Sequence, residues 1–199
     1  MIATLSKADA GDALNRIGWG STPYPLALSR FQRSFALGPA LTVDGVLGPK
    51  TSSALMLTVN RMRAGQPTAS THFSWTEFAC RCRGVCESGR IWPHRGLILA
   101  LEQLRVVHYR GGLSIASGCR CPVQNAAVGG AKESQHMAGI AADIRPAVHA
   151  RDVVALGVFS GIGANGDIEG LVRHVDVRHL DPKTNVTKST TAHPARWAY

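Results

Sequence analysis

The stretch Ser134-Gln135-His136-Met137-Ala138-Gly139-Ile140-Ala141-Ala142-Asp143-Ile144 places a histidine and an aspartate seven residues apart, separated mostly by small side chains. An imidazole nitrogen and a carboxylate oxygen are both good ligands for Zn²⁺. Gly139 lets the chain bend between them. Two protein ligands are too few for a stable site, so a third must come from elsewhere. Leu171-Val172-Arg173-His174-Val175-Asp176-Val177 reads as a short strand and supplies His174. The expected centre is His136, Asp143 and His174, with a fourth position left open for water. That is the layout of a catalytic zinc rather than a structural one.

Alternation along this strand puts His174 and Asp176 on one face and Val175 and Val177 on the other, toward the core. Asp176 is expected to be the catalytic general base for the zinc-activated water, because His-x-Asp on a strand holds both groups on one face; the alternative is a partner that orients His174. Glu169, five residues before His174, is the other acidic candidate.

The surrounding pattern is that of an α+β domain. Pro93 opens a long helix through Leu97, Ile98, Leu101, Leu104 and Val107 with one apolar face. Leu113 to Ser117 alternates like a strand, and Ile140 to Ile144 reads as a buried one. His149 to Phe159 has helical spacing. Gly161-Ile162-Gly163-Ala164-Asn165-Gly166 reads as a glycine-rich turn. In the tail, Arg196-Trp197 is expected to dock back on the domain.

The front of the chain is small and helical. Ser6 caps a first helix through Ala10, Ala13, Leu14 and Ile17, ending near Gly18. Pro25 and Pro49 suit the first turns of a second helix (Leu26, Leu28, Phe31, Phe35) and a third (Ala54, Leu55, Leu57, Val59, Met62). Residues 64–72 are small and polar and read as a linker. The expected organisation is a three-helix domain over 1–63, a linker over 64–72, and a second domain over 73–199. In that second domain an antiparallel sheet flanked by helices carries the zinc site.

Composition excludes some classes. The chain of 199 residues has ordinary globular composition and no apolar run long enough to span a membrane. The first seven residues lack the pattern of a signal peptide. A formal net charge of +9 favours polyanionic partners, an acidic cell wall among them. The positive residues are scattered, without a basic run or a base-reading motif, which argues against nucleic acid. A monomer is expected.

The five cysteines are Cys80, Cys82, Cys86, Cys119 and Cys121. Their spacing is not a standard zinc-finger pattern. It allows one or two disulfides, a four-thiolate structural metal, or buried free thiols. Of the remaining histidines, His179 is the one close enough in sequence to approach the site.

Two resemblances follow from these residues. Phe31-Gln32, then Val43-Asp44-Gly45-Val46-Leu47-Gly48-Pro49-Lys50-Thr51, then Ala54-Leu55 resemble the peptidoglycan-binding domain of cell-wall hydrolases. Ser117-Gly118-Cys119-Arg120-Cys121-Pro122, Asn125, Gly129-Gly130, the Ser134–Asp143 stretch and His174-Val175-Asp176-Val177 resemble the zinc D-Ala-D-Ala carboxypeptidase and endopeptidase family, which is related to lysostaphin-type peptidases and the hedgehog signalling domain. The second resemblance implies that His136, Asp143 and His174 bind Zn²⁺. It further implies that Arg120 binds a substrate carbonyl or carboxylate and that Ser134 lies in the substrate pocket. Many members carry an acid three residues before the last histidine; here that position is Leu171.

Together the resemblances imply an endolysin-like hydrolase of bacterial peptidoglycan, held in a host cytoplasm until release. The alternative is a non-catalytic wall-binding protein with a degenerate peptidase domain.

Overall fold

The computed structural model describes residues 4–83, 86, 89–109, 111–181, 183, 185 and 188–199. The N-terminal part holds three helices. α1 (Lys7–Leu14) starts at Ser6, whose hydroxyl accepts the Asp9 N–H at 3.1 Å. It buries Ala10, Ala13 and Leu14 and then winds more widely through a π-helical turn, Asn15–Trp19. α2 (Tyr24–Ser34) and α3 (Pro49–Arg63) each carry a proline in the first turn, as expected. Leu26 and Leu57, counted on the apolar faces of these helices, are exposed instead. The core beneath is made by Leu28, Phe31, Leu55 and Val59.

The loop between α2 and α3 is organised by one side chain. The Gln32 amide lies 2.8 Å from Asp44 Oδ1, 3.0 Å from the Val46 carbonyl and 3.2 Å from Thr51 Oγ1. Its carbonyl oxygen accepts the N–H groups of Asp44 and Gly45. A buried amide must satisfy its donors and its acceptor. That requirement accounts for the spacing of Gln32, Asp44-Gly45 and Thr51 as a folding motif.

The second part begins with a 3₁₀ turn, Trp75–Phe78, closed by a capping box between Ser74 and Glu77. Then come α4 (Arg95–His108), β1 (Ser114–Ser117), α5 (Pro122–Ala127), β2 (Ala141–His149), α6 (Ala150–Leu156), β3 (Gly161–Asn165), β4 (Leu171–Asp176) and β5 (Ala195–Ala198). The sheet order is β1-β2-β4-β3-β5. All pairs are antiparallel except β3–β5, which is parallel. The architecture is α+β, with one parallel edge that the sequence reading did not foresee.

The expected turn at 161–166 is a strand over most of its length. Its glycines serve close approach rather than chain reversal. A Cβ on Gly161 would fall into the Asp176 carboxylate, and one on Gly163 would press on Trp197 and Tyr199. These neighbours are distant in sequence, so the local pattern could not reveal them.

The helices of the N-terminal part pack directly on the second part. The buried Trp19 donates its indole N–H to the Ile91 carbonyl at 2.9 Å, and its ring lies 4.8 Å from that of Trp75. Arg95 reaches the Gly38 carbonyl, and Ser34 donates to the Pro93 carbonyl. One hydrophobic cluster runs through both parts. Within 64–72, Ala69 and Ser70 are buried, and Arg61 holds the Pro67 and Ser70 carbonyls.

α4 is capped by His94, whose Nδ1 accepts the Gly96 N–H at 3.0 Å. Burial, reinforced by the charge of Arg33, lowers the His94 pKa to about 4. The unfolded chain therefore takes up this proton first, near the ordinary value of about 6.5. Stability from neutral His94 is complete above that pH and is lost as pH falls toward 4. Between pH 7 and 4.5 the loss is about 2 kcal/mol after discounting for partial exposure. His94→Asn keeps a capping oxygen and should remove this share of the pH dependence in urea unfolding. Equal slopes for the two proteins would refute the assignment.

Candidate metal centre

Three strands meet at the site. Asp143 on β2 lies opposite His174 on β4 and opposite Ser117 on β1. The ladders shift register at this level, between Ile115 and Ser117, after Asp143, and after Gly163. Such bulges re-aim side chains. Arg173 falls at the shift in β4 and faces the cleft in front of the site.

His136 comes from a turn-rich segment ahead of β2. The segment is fastened from several sides. Trp92 donates its indole N–H to the Met137 carbonyl at 2.9 Å, His94 donates its backbone N–H to the Gly139 carbonyl at 2.7 Å, and Arg33 reaches the Ala138 carbonyl. Gly139 has φ of 73°, and a Cβ there would collide with the Trp92 carbonyl. Two independent constraints thus require glycine at this place in the motif.

The three donor atoms form a nearly equilateral triangle. His136 Nε2 lies 3.1 Å from His174 Nδ1 and 3.2 Å from Asp143 Oδ1, and His174 Nδ1 lies 3.0 Å from Asp143 Oδ1. Zinc bonds of 2.0–2.1 Å in tetrahedral geometry separate ligand atoms by about 3.3 Å. The opposite ring nitrogens face acceptors: His136 Nδ1 is 2.6 Å from the Gly118 carbonyl, and His174 Nε2 is 3.2 Å from Asp176 Oδ2. Each N–H then points backward, and the lone pairs of both rings point at Asp143. A donor set of two imidazole lone pairs and a carboxylate fits a divalent cation.

The protonation of the three groups follows from burial and from their contacts with one another. Burial lowers the pKa of His136 and keeps it neutral. Burial alone would raise Asp143, but its close contacts with His136 and His174 outweigh it and hold the carboxyl well below the usual carboxylate range. Burial alone would lower His174, but Asp143 and Asp176 together raise it. A proton at His174 competes with a cation for the same lone pair, so metal affinity should fall at acid pH.

Arg120 pairs with the second oxygen of Asp143 and donates from Nε to Ser117 Oγ at 2.9 Å. It also lines the cleft, as does Ser134.

Asp176 is placed differently from the base reading. Its side chain is fully buried, behind His174. Arg178 grips both oxygens, from Nε to Oδ1 at 2.9 Å and from an Nη to Oδ2 at 2.6 Å. Burial would raise its pKa, but Arg178 and His174 outweigh that and lower it to about 2. A carboxylate held on the far side of the imidazole orients the ring and does not face the cleft. The orienting reading is the one this geometry favours. Glu169 is exposed, pairs with Arg196 at 2.8 Å, and does not line the cleft. His179 turns to Ser160 Oγ at 2.7 Å and does not line it either.

The cleft has a volume of about 820 Å³, and its walls include Glu133, Arg145, Arg173, Trp197 and Tyr199. None of these was singled out as a site residue from sequence. Trp197 stands 5.2 Å from the His174 ring and 4.9 Å from the Arg178 guanidinium, brought there by β5. Arg178 had a signal in the His-x-Asp-x-Arg spacing, which leads straight from His174 through its partner.

No curated protein matches the chain. The family model described as Peptidase M15 matches residues 71–181, more than half of the chain and the whole of the donor triangle. The chain belongs to the Peptidase M15 family, whose members are zinc metallopeptidases of the D-Ala-D-Ala carboxypeptidase type.

Proposed function

We propose that this protein is a peptidoglycan hydrolase that cleaves a peptide bond in the stem peptide or cross-link of the bacterial wall. The observation that carries the reading is the triangle of His136 Nε2, His174 Nδ1 and Asp143 Oδ1 at the floor of an arginine-lined cleft. A Zn²⁺ held by these atoms would supply Lewis-acid polarisation of the scissile carbonyl and acidify water at neutral pH.

The remaining steps belong to the chain's own side chains. Gly118 and Asp176 hold the two imidazoles in the tautomers that leave their lone pairs forward. Arg120 uses part of its fork on Asp143 and Ser117 and has further N–H groups for a substrate carboxylate or carbonyl. Arg173 adds positive charge on the same wall. Besides Asp143, Glu133 is the carboxylate among the described residues lining the cleft. We assign it the proton accepted from water and returned to the leaving amine.

An endolysin-like role fits the same reading, with the protein reaching the wall when the host membrane is breached. No helix among the described residues is long and apolar enough to cross a membrane. The N-terminal helices would add wall affinity. Val43 and Val46, exposed on either side of the Asp44-Gly45 turn, are the surface we assign to that contact.

Mass spectrometry of purified peptidoglycan after incubation tests the proposal. New fragments with a free amine and a free carboxylate at one stem-peptide bond are expected. The second reading, a wall-binding protein without activity, is favoured by Leu171 at the position where an acid is common. It predicts co-sedimentation with the wall and no new termini.

A further inference from the structure

Four thiols converge away from the histidine site. Sγ atoms of Cys80, Cys82, Cys86 and Cys121 all lie within 4.8 Å of one another, and all four residues are buried. Cys82 and Cys86 Sγ are 2.9 Å apart. The fifth cysteine, Cys119, stands outside the group, and its Sγ accepts the Trp92 N–H at 3.3 Å. The odd count thus divides into a set of four and one buried thiol.

We propose that Cys80, Cys82, Cys86 and Cys121 form a structural Zn²⁺ site, separate from the catalytic centre. Four-coordinate zinc with thiolate bonds of about 2.3 Å sets its sulfurs about 3.8 Å apart, within the spread of these four atoms. The backbone around them is built for sulfur acceptors. The Cys121 N–H donates to Cys80 Sγ at 3.2 Å, and the Gln124 N–H donates to Cys121 Sγ at 3.4 Å. Such N–H···S bonds stabilise ligand thiolates, as outer partners do at metal sites. A closed set of four protein ligands leaves no open position, so the site is structural.

The location gives the site a purpose. Cys80, Cys82 and Cys86 lie between the 3₁₀ turn at Trp75–Phe78 and α4, in a segment whose described residues form no helix or strand. A bound metal would cross-link the chain at these points and add its binding free energy to folding. Cys121 follows Arg120 directly and sits at the N-cap of α5. Zinc would therefore pin both the loop and the backbone that aims Arg120 at Asp143. The cysteine loop also borders a second cleft, where Cys86 and Cys121 stand near Arg30 and Arg33 of α2. The metal would brace the second part where the N-terminal helices lean on it.

Elemental analysis of the purified full chain tests this, with zinc expected at two equivalents per chain. The double variant His136→Ala/Asp143→Ala should retain one equivalent. In the wild-type protein, an organomercurial thiol reagent should release one equivalent of zinc in step with modification of four thiols. Alkylation in denaturant without reductant should label all five cysteines. Cobalt(II) substitution in the double variant should give the sulfur-to-cobalt charge-transfer absorption of a tetrahedral thiolate site. No substitution of the cysteines is needed, so misfolding does not confuse the result. A single zinc per chain that is lost in the double variant overturns the site. A disulfide among the four cysteines, or iron in place of zinc, also overturns it. A protein that hydrolyses wall peptides with only one zinc would sink this site and leave the proposed function standing. Two zincs without hydrolysis would do the reverse.

Discussion

His136→Ala is expected to abolish hydrolysis of wall peptides, lowering kcat/KM by at least about a thousandfold, and to remove zinc from the triangle. Two remaining donors, Asp143 and His174, cannot hold the ion in a tetrahedral field at micromolar concentrations. The loss reaches beyond one ligand. His136 is nearly fully buried and ties the loop after α5 to the Gly118 carbonyl. A loss of about 7 kcal/mol of transition-state stabilisation, or ten to the fifth in rate, is within the range that Lewis-acid and positioning effects supply together. The fold should survive, because the core of the second part lies in α4 and the sheet rather than in this loop. Circular dichroism should be unchanged while zinc content and product formation fall together. Hydrolysis at the wild-type rate by a folded variant would remove His136 from the site.

Asp176→Asn carries the second large effect, and it separates orientation from proton transfer. The carboxylate is buried between His174 and Arg178. Removing its charge leaves the guanidinium without its partner, at a cost of about 3 kcal/mol in stability. Most domains of this size have that margin. Zinc affinity should fall by 10–100-fold, the usual effect of losing a partner behind a histidine ligand. At saturating zinc, kcat should return close to the wild-type value. Glu133→Gln should behave in the opposite way, with normal zinc affinity and a kcat reduced by about 10²–10⁴. If Asp176→Asn instead keeps its zinc and loses kcat at every zinc concentration, Asp176 is the base and the orienting role is wrong.

The sequence was most readable where chemistry and backbone constraint coincide. His136, Asp143 and His174 stand out because each ligand type recurs beside a glycine or on an alternating strand. The structure brings the three together. The helix starts at Ser6, Pro25 and Pro49 were legible because caps and first-turn prolines act within a few residues. What escaped depends on contacts between distant segments. Gly161 and Gly163 look like turn residues until Asp176 and Trp197 are seen to press on them. The burial of Asp176 follows from Arg178 and from Gly161 of the neighbouring strand β3, which closes on its carboxylate; alternation can show neither. The parallel docking of β5, which brings Trp197 to His174, is a property of the closed sheet. The cysteine spacing matched no familiar finger because its fourth member comes from Cys121, far along the chain.

Zinc dependence of hydrolysis is the most direct test of the account. Protein stripped with a chelator should release no free amines from purified peptidoglycan, and activity should return on adding back zinc. The same cycle applied to His136→Ala should restore nothing. Release of amines by the stripped protein at the untreated rate, with its zinc shown to be absent, would contradict the account.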